Sequence, residues 1–351
     1  MSAPARLPSL SVVATSRNDD HGANLLPRMQ LFIDGLAEQA ERFGLSLELL
    51  LVEWNPPADR PPLADVLRWR PSENFQPQVI TVPREVHNAL PNAERLPLFQ
   101  MIAKNVGIRR ARAPFVLATN IDILLSDELF AYMRAGLEVN AMYRVDRHDV
   151  EARLDSSPLP TPAECRALPP IREHSLAGLR YPHGRPATQQ APPPPAPQPL
   201  LGEVSRLAMA ALDRVVLPKL HTSGCGDFTL TSREVWSAMR GYPEWPIFSW
   251  HIDGVVLYQA FAAGVRMVNL QPPMVAIHLE HGEGSGWTPE GSRRLFERLA
   301  STGIPYLSTP EYRKVARKIV RSGRGFHSFN DAGWGLASEQ LVATSPTPKM
   351  L

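Results

Sequence analysis

The chain has few cysteines, little net charge and no long apolar run. Its 351 residues include only Cys165 and Cys225, too few for a disulfide framework; this is typical of a reducing compartment, although one bridge stays open. A net charge of +2 gives no reason to expect nucleic acid as a partner. No apolar stretch reaches the ~20 residues of a membrane span, and MSAPARLPSL lacks the apolar core of a secretory signal. We therefore expect a cytoplasmic protein, either free or peripheral at the inner face of the membrane.

Proline is abundant instead. Of the 36 prolines, 13 lie between Asp155 and Leu200. The run at 191–199 can form neither a helix nor a central strand, because proline lacks the N–H group and clashes with a preceding helical turn. We therefore predict an irregular insertion, partly polyproline II, over 151–205.

This insertion sets the expected domain organisation. It separates an N-terminal half, 1–150, from a C-terminal half of the same domain, 206–290. A basic helical segment, 291–330, and a disordered tail, 331–351, would follow.

Strands and helices alternate in the N-terminal half. Short apolar runs predict strands at 10–15, 47–52, 78–82 and 115–118. Apolar residues at helical spacing predict helices over 25–43, 97–111 and 129–137, and Gly44 is a plausible stop. This alternation indicates an α/β fold with a doubly wound, mostly parallel sheet and helices on both faces. Ligands of such sheets bind beyond the carboxyl ends of the strands.

Polar clusters stand at those strand ends, and their order is informative. Lys104-Asn105-Val106-Gly107 and Ala111 precede a strand that runs into Asn120-Ile121-Asp122. This order resembles the nucleotide-binding half of glycosyltransferases with the GT-A fold, in particular family 2 and galactosyltransferase-like members. The resemblance spans roughly 8–150 and resumes at about 220–282. It implies a nucleotide-sugar donor, with UDP-sugars favoured.

The resemblance makes Asp122 a metal ligand. Mn²⁺ and Mg²⁺ accept carboxylate oxygens, and such an ion would neutralise the departing diphosphate. The usual first acid of the motif is replaced by Asn120, whose amide oxygen brings no charge. The plainer alternative is that Asn120 and Asp122 cap a helix that starts near Ser126.

The resemblance also implies which residues contact the nucleotide: Thr15, Arg17, Asn18, Glu53, Lys104, Asn105 and Asn120. Glu53 would receive the base or ribose, and Arg17 would pair with the diphosphate. Lys104 would meet phosphate, and Asn105 would orient the loop at Asp122. The alternatives are an exposed acid at Glu53 and solvated surface cations at Arg17 and Lys104.

The C-terminal half carries a glycine-rich loop at 221–228 and three candidate bases. It resembles the galactosyltransferase-like arrangement in which an acid at the position of Asp253 deprotonates the acceptor hydroxyl, with Asp227 as the competitor and Glu244 behind it. Asp253 could instead cap the helix that begins there.

Histidines follow a predicted strand near the end of this half. His278 and His281 are candidates for further metal ligands, with His278 first. Trp287 would stack on a sugar or base, or simply pack. The stretch 141–147 reads as one strand after the metal motif. The basic stretch 308–324 would either dock with a solvated face or contact an anionic membrane or a lipid-linked acceptor.

Together these features predict a metal-dependent, inverting glycosyl transfer to a saccharide or lipid-linked acceptor. A nucleotidyltransferase is the nearest enzyme alternative, but residues 10–25 lack its glycine-rich phosphate loop. A transferase-like module that binds nucleotide sugars without turnover is the other, and Asn120 favours it.

Overall fold

The computed structural model describes residues 7–20, 22–70, 72–184, 213, 215–281 and 292–347. Its first half contains β1 (Leu10–Ser16), α1 (Leu25–Phe43), β2 (Leu47–Trp54), α2 (Leu63–Val66), β3 (Phe75–Val82), α3 (Arg84–Asn88), α4 (Gln100–Arg110), β4 (Phe115–Thr119), β5 (Ile123–Leu125), α5 (Asp127–Ala135), β6 (Ala141–Arg144) and β7 (Asp146–Val150). Its second half contains α6 (Pro162–Arg166), β8 (Arg172–Ser175), β9 (Gly178–Arg180), β10 (Phe228–Ser232), α7 (Arg233–Met239), α8 (Ile252–Ala262), β11 (Arg266–Asn269), β12 (Val275–Leu279), α9 (Ser292–Ser301), α10 (Thr309–Arg321) and β13 (Val342–Thr344). The predicted α/β class is therefore confirmed.

Eight strands form the central sheet, in the order β11-β6-β10-β4-β1-β2-β3-β13. Strands β4, β1, β2 and β3 are parallel, as the strand–helix alternation predicts. Strand β10 lies antiparallel between β4 and β6, and β13 is antiparallel to β3. Since β10 comes from the C-terminal half, the two halves share one sheet.

Helices cover both faces of this sheet, because alternate residues of a strand point to opposite faces. Val12 of β1 belongs to the apolar cluster that includes α1 and α5. Val13 belongs to the opposite cluster, which includes α4, α7 and α8. Strands buried on both faces explain the continuous apolar runs of the sequence.

The helix ends follow local rules. Helix α1 stops at Gly44, whose φ of 61° is left-handed, as its sequence position suggests. Ser126 is the N-cap of α5, and its side chain accepts a hydrogen bond from the amide of Leu129. The capping alternative for Asn120 and Asp122 is therefore wrong.

The stretch 141–147 is not one strand. It breaks at Val145 into β6, in the central sheet, and β7, in a second sheet with the order β5-β12-β7-β8-β9. This second sheet was not predicted. It brings β12, with His278, beside β5, which follows Asp122 directly.

The predicted insertion is only partly irregular. Its described part, 151–184, contains α6, β8 and β9, and β8 pairs with β7. The helix starts at a capping box formed by Thr161 and Glu164, which the proline count obscured. The proline run at 191–199 lies outside the described residues.

The predicted tail is also partly ordered. Residues 331–347 are described, and β13 adds to the edge of the central sheet beside β3. Arg109 and Arg110 of α4 bind its backbone, donating to the carbonyls of Trp334 and Gly335. The expectation of a disordered tail is wrong for this part. Within the described ranges, no helix is both long and apolar enough to cross a membrane.

Candidate active site

A cavity of ≈ 670 Å³ opens where the parallel strands β1 and β4 end. Its wall brings together eight of the predicted site residues: Thr15, Arg17, Asn120, Asp122, Asp227, Asp253, His278 and His281. Asn18, Glu53, Lys104, Asn105 and Glu244 do not line it. The strand-end rule therefore located the cavity, but not each of its side chains.

Asp122 lies in the turn between β4 and β5 and is buried. Its Oδ2 is 2.9 Å from Nη1 of Arg28 and 2.9 Å from Nε2 of His281. Its Oδ1 is buried without a hydrogen-bond partner in the described part of the chain. Burial raises the pKa of this carboxyl, but His281, His278 and Arg28 outweigh burial and lower it, so Asp122 is ionised.

Two histidines join Asp122. Nε2 of His278 lies 3.8 Å from Oδ2 of Asp122, and ligand atoms of Asp122, His278 and His281 all lie within 4.8 Å of one another. His278 and His281 therefore do lie close together. His278 is on β12, and the turn after β12 brings His281 back beside it.

These donors fit a divalent ion. An ionised carboxylate with one unpartnered oxygen and two imidazoles is a set that Mn²⁺ accepts, whereas Mg²⁺ prefers oxygen ligands alone. The donor chemistry thus favours Mn²⁺ over Mg²⁺. Arg28 competes by holding one oxygen of Asp122.

Asp149 lies behind the histidines and was not predicted. It is fully buried on β7, and its Oδ1 is 3.2 Å from Nδ1 of His278. Arg172 and Arg147 surround it, with Nε atoms at 2.7 Å and 2.9 Å. A carboxylate on the far nitrogen of a ligating histidine fixes the ring orientation and directs the other nitrogen toward the metal.

We expect Asp149→Asn to weaken Mn²⁺ binding about 10–100-fold, because His278 loses the carboxylate that orients it. Isothermal titration of the folded protein with Mn²⁺ measures this. Asp146→Asn is the matched control, since Asp146 lies on the same strand but pairs with His221 at 2.9 Å. Equal affinity in the two variants would show that Asp149 does not position His278.

Asp227 is held by two partners and points into the cavity. It accepts hydrogen bonds from Arg147 at 2.6 Å and from Nδ2 of Asn120 at 2.6 Å. Burial raises its pKa, but Arg147 and His278 lower it further, so the net shift is downward. A carboxylate with a lowered pKa and two donors is a poor proton acceptor, which disfavours Asp227 as the base.

Asp253 has the opposite environment. It lies in the first turn of α8, but the N-cap position belongs to His251, so Asp253 is not the cap. Its Oδ1 accepts the amide of Gly254 at 2.8 Å, and a methyl group at Gly226 would come within 3.0 Å of Oδ2. Burial raises its pKa, against smaller lowering effects of Cys225 and Lys104. A raised pKa in a cavity wall is typical of a general base.

Lys104 lies beneath the glycine-rich loop. Its side chain is fully buried, and Nζ donates to the carbonyl of Gly226 at 2.7 Å. Burial lowers its pKa to about 8, although Asp227 and Asp253 act against this shift. The surface alternative is therefore wrong, and the structure gives Lys104 a loop carbonyl as its partner rather than a place on the cavity wall.

Most of the residues predicted to contact the nucleotide form hydrogen bonds with backbone groups of the protein. Arg17 lines the cavity but donates through Nε to the carbonyl of Asn55 at 2.8 Å, so it is not a freely solvated cation. Asn18 donates to the carbonyl of Pro61. Glu53 accepts the amide of Leu63 at 3.0 Å and is fully buried, so it is not an exposed acid. Their nucleotide contacts remain predictions.

Asn105 and Glu244 hold a different loop from the one expected. Asn105 exchanges two hydrogen bonds with the backbone of Tyr242 and donates to Glu244. Glu244 also accepts the amide of Gly335 at 2.7 Å, which fastens the chain that leads to β13. Asn105 thus orients residues 241–244, not the turn at Asp122, and Glu244 is away from the cavity.

We expect Gly241→Ala to lower the free energy of unfolding by about 2–4 kcal/mol. Gly241 has φ 71°, and a Cβ there would lie 2.2 Å from Oδ1 of Asn105, so left-handed strain and overpacking add together. Urea unfolding measures the change. Gly44→Ala is the control, because its φ of 61° is similar but the space around it is open, so only about 1–2 kcal/mol should be lost. Equal losses would mean that the contact with Asn105 yields.

Sequence reasoning missed Arg28, Asp149, Arg172 and His174. Arg28 lies beside Met29 on the inward side of α1, where a charged residue needs a buried partner. Asp149 follows Arg147 at a spacing of two, the signature of one strand face. His174, 3.2 Å from Asp149, lies in the segment treated as irregular.

No protein-family model matches the chain, and no curated protein matches its sequence. Among solved structures, it is similar to TarS 1-349 of S. aureus, with 13% identity, a TM-score of 0.41, and coverage of 77% of this chain and 60% of that one. It is also similar to the catalytic domain of Drosophila beta1,4-galactosyltransferase 7 in complex with xylobiose, with 10% identity, a TM-score of 0.32, and coverage of 74% and 63%. A second TarS structure gives 12% identity, a TM-score of 0.37, and coverage of 84% and 39%. The chain spans less than two thirds of each of these structures.

The topology of the sheet defines the class of the fold. A large mixed sheet with helices on both faces has an acidic turn after β4, and an antiparallel strand from the C-terminal half lies beside β4. This architecture is consistent with the GT-A type that the motifs predicted.

Proposed function

We propose that the chain is a glycosyltransferase that moves a sugar from a nucleoside-diphosphate sugar, with UDP-sugars favoured, to an acceptor hydroxyl with inversion. One observation carries the proposal. A carboxylate with a raised pKa, Asp253, and a group of donors suited to a divalent ion, Asp122, His278 and His281, line the same cavity. Acid–base chemistry and diphosphate binding both need such groups.

In the proposed reaction, Asp253 and the metal-binding residues have separate tasks. Asp253 accepts the proton of the acceptor hydroxyl while that oxygen forms a bond to the anomeric carbon. The bond from that carbon to the diphosphate oxygen breaks, and the diphosphate leaves with the electron pair. A divalent ion held by Asp122, His278 and His281 would supply positive charge opposite the leaving group. Arg28 would keep Asp122 ionised and oriented.

The glycine-rich loop would help to position these groups. Arg144 is fully buried and donates to the carbonyls of His221 and Ser223, so the start of the loop is fixed to β6. Lys104 fixes it at Gly226, and Arg147 and Asn120 fix Asp227. A loop held at so many points is preorganised, so the site needs little further ordering when the transition state forms.

A panel of nucleotide sugars, each assayed with and without Mn²⁺, tests the proposal. We expect Mn²⁺-dependent hydrolysis of at least one UDP-sugar in the absence of acceptor. Proton NMR should show that the anomeric configuration of the sugar first released is opposite to that of the donor. The Asp253→Asn variant and the addition of a chelator are the two negative controls.

The alternatives give different results in the same assay. Release of pyrophosphate from a nucleoside triphosphate and a sugar phosphate would identify a nucleotidyltransferase. Binding of a nucleotide sugar without turnover on any acceptor would identify a binding module. The hydrogen bond from Arg28 to Asp122 favours this alternative, because it occupies an oxygen of the proposed metal ligand. The absence of nucleotide-sugar binding would overturn the proposal.

A further inference from the structure

Helix α10 carries its apolar residues on one side and most of its charged residues on the other. Tyr312, Ala316 and Ile319 are buried against α8 and its surroundings. The opposite side carries four exposed cations and the largely buried Arg317, hereafter the basic stripe: Arg313, Lys314, Arg317, Lys318 and Arg321. Residues 309–324 contain six cations and one carboxylate, although the whole chain carries only +2. The positive charge is therefore concentrated on one small surface.

The basic stripe has few counter-charges of its own. Asp213 pairs with Arg317 and lies 3.6 Å from Arg313. Glu311, the carboxylate of the helix, is bound to Ser308 in a capping box. Within the described residues, no carboxylate lies at ion-pair distance from Lys314, Lys318 or Arg321. Like charges four residues apart, such as Lys314 and Lys318, destabilise a helix unless an external anion relieves them.

Apolar side chains are exposed around the same helix. Val215 is 86% exposed, Phe326 43% and Phe261 40%. Val215 lies two residues from Asp213, which the stripe binds. Phe261 and Phe326 each adjoin the hydrogen bond from the amide of Gly325 to the carbonyl of Ala262. Exposed aromatics beside a cationic surface are typical of proteins that bind membrane interfaces.

We propose that the basic stripe, with Val215, Phe261 and Phe326, docks the protein on an anionic lipid bilayer. Cations attract acidic headgroups, and the apolar side chains insert among them. The inner side of the same helix touches the candidate site. Tyr312 lines the cavity and stacks on His251 at 4.6 Å, two residues from Asp253. Docking therefore places the cavity wall at Tyr312 about one helix diameter, ~10–12 Å, from the bilayer.

Vesicle flotation tests this without any activity measurement. We expect the full-length protein to float with vesicles that contain phosphatidylserine and not with vesicles of phosphatidylcholine alone. Raising the salt from about 0.1 M to about 1 M, which shortens the Debye length from ~10 Å to ~3 Å, should release most of it.

The triple variant K314Q/K318Q/R321Q should partition about a hundredfold less, because each cation near an anionic surface contributes about three- to sixfold. The matched control is R84Q/R134Q/R153Q, which removes the same charge from exposed sites elsewhere and should bind nearly as wild type. F326S should weaken binding about tenfold while leaving the salt response in place.

Several results would overturn the docking proposal. These are equal binding to neutral vesicles, equal loss in the two triple variants, or binding of heparin or RNA through the stripe without binding of anionic vesicles. The last result would identify a polyanion site. Because partitioning is measured without nucleotide, the proposed glycosyl transfer could fail while membrane docking stands, and the reverse also holds.

Discussion

Replacing Asp253 with asparagine should lower the turnover number about 10²–10⁴-fold while leaving the affinity for the nucleotide sugar within a few-fold of wild type. The amide keeps the shape of the side chain and its contact with Gly254, but it cannot accept a proton. Single-turnover transfer measures the chemical step, and calorimetric titration measures donor binding. Turnover near that of wild type would remove Asp253 from the reaction.

The pH dependence gives the same variant a second signature. Because burial raises the pKa of Asp253, the acid limb of the wild-type rate profile should lie above the ordinary value of 3.8. Above that raised pKa, the folded protein holds a carboxylate that the unfolded chain would ionise more easily, so the group destabilises the fold at neutral pH. Asp253→Asn should therefore raise the melting temperature at pH 7, and the gain should vanish as the pH falls below 3.8.

Two other carboxylates serve as controls. Asp227→Asn keeps a hydrogen-bonding side chain beside Arg147 and Asn120 and should reduce turnover far less than Asp253→Asn. Glu244→Ala should lower stability, because Glu244 joins Asn105 to Gly335 and alanine has no acceptor for either donor, but it should leave the pH profile unchanged. If Asp227→Asn were the more damaging variant, the assignment of the base would be reversed.

Replacing Asp122 with asparagine should have two large effects with different causes. Mn²⁺ affinity should fall by more than the roughly 10–100-fold typical of residues behind the ligands, because the anionic ligand itself is lost. The free energy of unfolding should fall by about 3–5 kcal/mol, because Arg28 is left buried and without its carboxylate partner at 2.9 Å.

A double variant separates these effects. Arg28→Met combined with Asp122→Asn removes both members of the buried pair, so stability should return toward wild type while Mn²⁺ affinity stays low. Arg28→Met alone frees an oxygen of Asp122 but leaves the carboxylate unpaired by arginine. Urea unfolding and Mn²⁺ titration of the three variants complete the cycle. Recovery of metal binding in the double variant would exclude Asp122 as a ligand.

The parallel part of the central sheet could be predicted from the sequence, because buried parallel strands leave apolar runs that are easily recognised. The runs that became β1, β2 and β4 lie at the predicted positions, and Gly44 ends α1 as expected. The second sheet could not be predicted. Two of its strands, β7 and β8, are short and polar: β7 reads Asp-Arg-His-Asp-Val, and its buried acid, Asp149, is paired with Arg147 and Arg172.

For four candidate residues, the motifs predicted a common location. Asp122, Asp253, His278 and His281 line one cavity, as the motifs required. The residues that hold them were missed or misassigned, because their role depends on which chain segment lies opposite. Asn105 faces Tyr242, 137 residues away, and Arg28 faces Asp122, 94 residues away. No local pattern encodes such pairings.

Strand β13 replaces β3 as an edge strand of the central sheet. It covers β3 at 79–81, and Pro77 lacks an N–H group on the remaining part of that edge. Of the described strands, β13 is synthesised last, so β3 stays an edge strand until the other strands of the sheet have been made. Open edges of this kind recruit strands from neighbouring chains. The three residues 342–344 thus move this edge of the sheet from the eight-residue β3 to a strand of three residues, and so short an edge strand offers a neighbouring chain fewer backbone groups to pair with.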